Sequence, residues 1–270
     1  MPDLSPALRK SLNLIHNFAE RESKARYKRS VLGWFWSFVN PLTTVVVYGF
    51  VFGVVFDTPP PPTGSGRAQN FGLYLFCGLI TWSLFTGVVN GCMGWLAGVS
   101  DLRKKVYFPT ETALLGGAVS NGIQTSLEAL VLVSIMVAFR NISWTVVFLL
   151  LALILAIVFA LGLGFIVAVS NARYRDVQYL VGVVLNVGFF LVPIVYPLEL
   201  VPEHTRGIPT RLLVEWNPPA LFVEIARDGA YFLQVPSITK LLVATAWSGA
   251  AFTVGWVYFR ARSMEISEEP

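Results

Sequence analysis

The chain reads as an all-α integral membrane protein with an N-terminal amphipathic interface helix, six transmembrane helices, and short re-entrant helices between spans five and six. Three observations predict this. Of 270 residues, 55% are hydrophobic and only 13% charged, too little polar surface for a soluble body of this size. The charges are gathered at intervals, leaving uncharged runs at 30–56, 68–100, 112–139 (interrupted only by Glu128), 141–172, 177–198 and 241–259. A helix needs about 20 apolar residues to cross the hydrocarbon core, so there are six candidate spans. The basic residues are also divided unevenly. Six spans put both termini on one side, and Arg9, Lys10, Arg21, Lys24, Arg26, Lys28, Arg29, Arg103, Lys104, Lys105, Arg173, Arg175, Arg260 and Arg262 fall there, 14 of the 20. Only Arg67, Arg140, Arg206, Arg211, Arg227 and Lys240 fall opposite. The positive-inside rule therefore predicts a plasma-membrane protein with both termini cytoplasmic. The net charge of +4 follows from this asymmetry and implies no nucleic-acid partner.

Residues 1–29 form the cytoplasmic interface helix, 30–260 the transmembrane domain and 261–270 a cytoplasmic tail. Ser5-Pro6 reads as an N-cap followed by proline at the first helical position. Leu8, Leu12, Ile15 and Phe18 then recur at helical spacing, with charges on the other faces. Such a helix is too charged to span. It lies in the cytoplasmic interface or rests on a partner. The charges also argue against a secretory signal peptide.

The first span, about 31–56, follows the basic cluster Arg26–Arg29 and begins with Trp34 and Trp36, residues suited to the interface. Pro41 is expected to kink it. The outer loop that follows, with Pro59–Pro62 and Gly64-Ser65-Gly66, reads as a spacer, stiff and then flexible. The second span, about 71–99, carries Gly87, Gly91, Gly94 and Gly98 on one stripe, a face for close helix packing or a smooth conduit wall. Cys77 and Cys92 lie in the same span, roughly 22 Å apart along a helix, and cannot bridge each other.

The third span, about 110–138, restarts at Pro109 and holds Glu128 near mid-membrane. An ionisable group there is either a structural hydrogen-bonding group, with Asn90 or Asn186 as partner, or part of a pore. The fourth, about 144–169, is aliphatic and expected to face lipid. Ser170–Pro197 comes next, a polar knot (Asn171, Arg173, Tyr174, Arg175, Asp176) joined to an uncharged fifth span, about 177–197, that closes on Pro193 and Pro197. The knot is expected to receive force from a partner, and the run after it to line or gate a route across the membrane. The segment about 199–236 is too polar to span. Its apolar pieces 212–214 and 220–226, separated by Asn217-Pro218-Pro219, read as two short re-entrant helices or an ordinary outer loop. The sixth span covers about 238–259.

No catalytic or metal-binding constellation is visible. There is no phosphate-binding Gly-rich loop, zinc-binding His-Glu-x-x-His, nucleophile elbow or Asp-x-Asp pair, and His16 and His204 fall on opposite sides. A membrane glycosyltransferase would need the missing acidic pair.

Four patches resemble a known family. They are Arg26–Pro41; Leu102–Pro109; Ala172–Val177 with Pro193 and Tyr196; and Asn217-Pro218 with Glu224-x-x-Arg227. In order and spacing they resemble the membrane subunit of type-2 ABC exporters, specifically permeases for polysaccharide, O-antigen, teichoic acid and cell-wall galactan. The resemblance implies a homodimer in which each copy pairs with a separate ATP-binding subunit. ATP and Mg would be held there and no cofactor by this chain. It implies that Asp101, Leu102, Arg103, Lys104 and Lys105, with Arg173, Tyr174, Arg175 and Asp176, couple to that subunit, and that a lipid-linked polymer crosses between the two copies. The helices after span five would form an outer gate. Trp36, Tyr48, Phe52, Phe189, Phe190 and Tyr196 are candidate channel aromatics on which sugar rings could stack, though packing or lipid contact accounts for any one of them. The alternatives are a small-molecule or drug exporter of the same family, and an ion-coupled carrier or channel using Glu128.

Overall fold

The computed structural model describes residues 6–28, 30, 33–57, 59–66 and 70–262. The cap expected at Ser5, residues Arg29 and Arg67, and the tail 263–270 lie outside the described residues, as do the side chains of Tyr27 and Trp34. Helix α1 (Pro6–Tyr27) leads to α2 (Trp36–Phe50), which passes through a buried Pro41 and ends in one π-helical turn, Val51–Val55. Helix α3 (Phe71–Ala97) starts where the Asn70 side chain accepts from the Gly72 amide at 2.7 Å. The short α4 (Ser100–Arg103) precedes α5 (Glu111–Ala138), α6 (Val147–Arg173) and α7 (Val177–Leu191). Helix α8 (Thr210–Glu215) and α9 (Pro218–Ala230), with prolines in its first turn, precede α10 (Ile238–Arg262). Among the described residues, five helical stretches are long and apolar enough to cross a membrane: Trp36–Val55, Phe71–Ala97, Glu111–Ala138, Trp144–Arg173 and Ile238–Arg262.

Contact register gives the directions. Phe85 lies on Phe159 at 5.9 Å and Cys92 beside Gly164, so α3 and α6 run the same way. The Ser248 hydroxyl donates to the Leu155 carbonyl at 3.0 Å, and Gly255 abuts Gly162, so α10 runs with α6. Gly87 faces Asn121 and Trp95 faces Gly117, so α5 runs against α3. One end of the bundle therefore gathers the C-termini of α3, α6 and α10 and the N-terminus of α5. Arg260 meets Glu111 there at 3.5 Å. Arg103, Lys104, Lys105, Arg173 and Arg175 all lie at this basic end.

Several expectations change. Helix α1 does not stand apart. Ile15, Phe18 and Ala19 meet Gly116, and Ser23 bonds Ser120 at 2.8 Å. Both partners advance by four residues, so α1 lies lengthwise along α5 in the same direction. Arg21 donates to the Gly98 carbonyl at 3.3 Å. Phe18 also packs on Phe108, while Leu8 and Leu12, about three and two turns earlier, stay exposed. The fourth span is not a lipid-facing column. Leu149, Ala152, Ala156, Ala160 and Phe165 are buried, because α6 carries α3, α9 and α10. The glycine stripe of α3 is divided: Gly87 meets Asn121, whereas Gly91 and Gly94 line a cleft of about 380 Å³ with Arg21, Trp95 and Gly117.

The predicted fifth span is shorter than expected. Helix α7 covers 15 residues, roughly 22 Å against the ~30 Å of the hydrocarbon core. Val192 is extended, and Pro193, which has no amide hydrogen, cannot continue the ladder. Gly188 and Phe189 reach Trp82, and Ile194, past the end of α7, lies beside Gly78, so α7 ends part-way along α3.

Candidate functional site

The two predicted coupling loops lie at the same, basic end because α3 and α6 are parallel. Leu102, Lys104, Lys105, Val106 and Tyr107 are exposed, Tyr107 at 97%, and Arg103 is half-buried. Across the end, Arg173, Tyr174, Arg175 and Asp176 are all exposed, with the Arg173 guanidinium 5.5 Å from the Tyr174 ring centroid. The Asn171 side chain accepts from the Gln178 amide at 3.1 Å and so ties this loop to the start of α7. Basic and apolar side chains displayed together on short loops suit docking to another protein.

The opposite end is organised by α9. Phe222 packs on Phe159 at 5.6 Å, and Gly229 abuts Thr145 and Phe148, so α9 runs against α6 from its middle to its beginning. Nearly every residue from Ala220 to Ala230 is buried. Arg227 is 0% exposed. It donates from Nη1 to the Pro193 carbonyl at 2.5 Å, from Nη2 to that of Ile194 at 2.6 Å, and from Nε to that of Tyr74 at 3.4 Å. Its guanidinium lies 3.7 Å from the Tyr74 ring centroid. Glu224 is 3.6 Å from Arg227, and Lys240 reaches Glu224 at 3.7 Å and Asp228 at 3.3 Å. A buried guanidinium is tolerable only when matched in charge and fully bonded, and this arrangement does both.

Sequence reasoning counted Arg227 and Lys240 as outer-loop charges. The Glu224-x-x-Arg227 spacing, one helical turn within an apolar stretch, was the available signal. It also missed Asn141, which is fully buried. Asn141 donates to the carbonyls of Tyr231 at 3.1 Å and Ala230 at 3.4 Å, and accepts from the Ser65 amide at 3.1 Å. Thr145 donates to the Gly229 carbonyl at 2.8 Å. These groups satisfy the C-terminal carbonyls of α9. The proline-rich loop is docked rather than a free spacer. The Tyr231 hydroxyl donates to the Pro61 carbonyl at 2.8 Å, and the Gly64 amide donates to the Tyr231 carbonyl at 3.1 Å. Asn141→Ala is expected to cost about 2–3 kcal/mol, since it strips partners from buried groups of two segments. The thermal midpoint of purified protein checks this.

The aromatic set does not form one group. Tyr48 stacks on Phe52 and Phe52 on Phe71, at the N-terminal end of α3. Phe189 packs on Trp82 and Phe190, and the Tyr196 hydroxyl donates to the Phe190 carbonyl at 2.9 Å. Phe190 and Trp36 are exposed. Glu128 accepts from Gln124 at 3.3 Å, and Gln124 accepts from Ser37 at 3.0 Å. Its partner is on its own helix and is not Asn90 or Asn186, which are exposed on α3 and α7. The predicted alternative of Asn90 or Asn186 as partner is corrected accordingly.

A multi-pass helical bundle with exposed basic loops at one end and a buried ion network at the other is compatible with a membrane transport subunit. The chain belongs to the ABC-2 type transporter family, whose pattern matches residues 14–231. It is 28% identical over 256 residues to the O-antigen export system permease protein RfbA of Myxococcus xanthus, covering 94% of each chain. It is 27% identical to a Klebsiella pneumoniae protein of the same name, over 80% of this chain and 79% of that one. Similarity extends to the polysialic acid transport protein KpsM of Escherichia coli, 22% identical over 90% of each.

Proposed function

We propose that the chain is the membrane half of an ATP-driven exporter that moves a lipid-linked polysaccharide across the plasma membrane. Two copies pair with two copies of a separate ATP-binding subunit. The basic end, with both termini, faces the cytoplasm, and α9 sits on the outer side as a re-entrant gate helix. The observation that carries this reading is the placement of the 101–107 and 173–176 loops at one end of the bundle, opposite α9, in a chain whose relatives are named as an O-antigen export permease and a polysialic acid transport protein. The Asn171–Gln178 bond makes α7 the element that would carry movement from the loop toward α9.

An ion-coupled carrier is disfavoured because Glu128 has a local partner, Gln124, itself held by Ser37. The test is reconstitution of the chain with its ATP-binding subunit in liposomes carrying a lipid-linked glycan. ATP should drive glycan across, and Glu128→Gln should keep at least about a fifth of the rate, as expected for a bond worth about 1 kcal/mol or less to function. Glycan movement indifferent to ATP hydrolysis would end the proposal. Loss of transport in Glu128→Gln together with dependence on an ion gradient would install the carrier.

A further inference from the structure

Between α7 and α8 the main chain leaves the helical ladder, and the carbonyls of Pro193 and Ile194 point to the same side chain. That side chain is Arg227, in the third turn of α9. Gly78 makes the room: a Cβ there would stand 3.0 Å from Arg227 Nη2 and 3.4 Å from the Ile194 side chain. One guanidinium thus bridges α3, α9 and the break after α7.

The segments it joins are unequally held. Helix α9 is buried almost throughout and pinned at its C-terminal end by Asn141 and Thr145. Helix α7 has no buried residue. Any displacement of α7 along its axis therefore reaches Pro193–Ile194 first, two residues that are themselves buried but that no helical hydrogen bonds hold. Glu224, at 3.6 Å, is too long for a good hydrogen bond but close enough to receive the guanidinium when the carbonyls move away. Lys240 keeps Glu224 in place meanwhile.

We infer that Arg227 is a releasable latch, a positioning residue that ties the break after α7 to α9 while the route is shut and exchanges those two carbonyls for Glu224 when α7 moves. This rests on the export reading above for its direction, and extends it by naming the contact that must break. The partner of Arg227 in the open state is a carboxylate of its own helix, so the charge is never left bare.

The deciding experiment uses the native complex with its ATP-binding subunit in nanodiscs. Hydrogen–deuterium exchange is compared between nucleotide-free complex and complex trapped with ATP and vanadate. Amides of 194–201 should exchange about tenfold faster in the trapped state, and those of 220–230 should change less than about twofold. Equal protection of both segments in both states overturns the latch. A second measurement uses Arg227→Lys, which keeps the charge but not the two-pronged reach. Liposomes holding the variant without ATP should leak a small encapsulated dye about tenfold faster than native, with ATP hydrolysis within about twofold. A merely structural role would lower assembly and hydrolysis together without leak, and that result also overturns it. If the variant does not assemble, the exchange measurement on native protein decides. Neither readout needs the glycan, so failure of glycan export would sink the export reading while leaving these results standing.

Discussion

Replacing Gly255 by alanine is expected to destabilise the bundle by about 3 kcal/mol, the upper part of the range for overpacking. The added Cβ would meet the carbonyl oxygen, carbonyl carbon and Cα of Gly162. From the other side, a Cβ at Gly162 would meet the backbone of Ala251 and Phe252. No flexible side chain can move aside, so one helix must shift away from the other. The shift would open the aromatic contacts that follow the crossing, where Phe165 meets Phe252, Trp256 and Phe259 at 5.1–6.0 Å. Backbones that approach this closely hold membrane helices together by dispersion and weak Cα–H···O contacts rather than by the hydrophobic effect. Gly249 on the same helix is the control: a Cβ there meets nothing within 4 Å. Gly249→Ala should be neutral or slightly stabilising through helix propensity. Thermal unfolding of the two variants in one detergent separates them.

Reversing both Arg173 and Arg175 to glutamate should weaken binding of the ATP-binding subunit by about 100-fold, in the lower part of the range for close interfacial charge pairs. Both arginines are exposed, so the isolated chain should insert and melt as native does, within about 0.5 kcal/mol. Export should fall with the lost association. The loss should deepen as salt is lowered, because the reversed charges then repel what the arginines attract. Normal export by the double variant would remove the 173–176 loop from the coupling path.

The spans were legible because an uncharged apolar run of about 20 residues or more finds a stable place only in a bilayer or a deep protein core. The two short helices α8 and α9 were legible from the interruption at Asn217-Pro218-Pro219, since prolines are disfavoured in a helix interior but suit its first turn. The end of α7 was only half legible. Pro193 announces a stop, yet counting charges carries the run on to Leu198. Arg227 was misplaced for a similar reason: charge counting assigns a side of the membrane, not burial, and nothing local says that two carbonyls 33 and 34 residues earlier await a guanidinium. Asn141 reads as a loop residue because its partners come from 65, 230 and 231. The glycines of α3 were conspicuous, but the tightest helix crossing uses Gly162 and Gly255, whose pairing spans most of the C-terminal half of the chain.

The side-by-side register of α1 and α5 has a consequence for synthesis. Ser23 and its partner Ser120 are 97 residues apart. At about 5–20 residues per second, the ribosome needs roughly 5–20 s to make the second after the first. Through that interval α1 has left the ribosome without the helix it will lie against, and an amphipathic helix in that position adsorbs to the bilayer surface. The pattern of Leu8, Leu12, Ile15 and Phe18 therefore suits lipid headgroups while the chain is being made; once α5 has been threaded, Ile15 and Phe18 meet the glycine notch at Gly116 while Leu8 and Leu12 stay exposed. A change that sharpened the first preference would delay the second, and the maturing protein would carry α1 as a surface float rather than a strut.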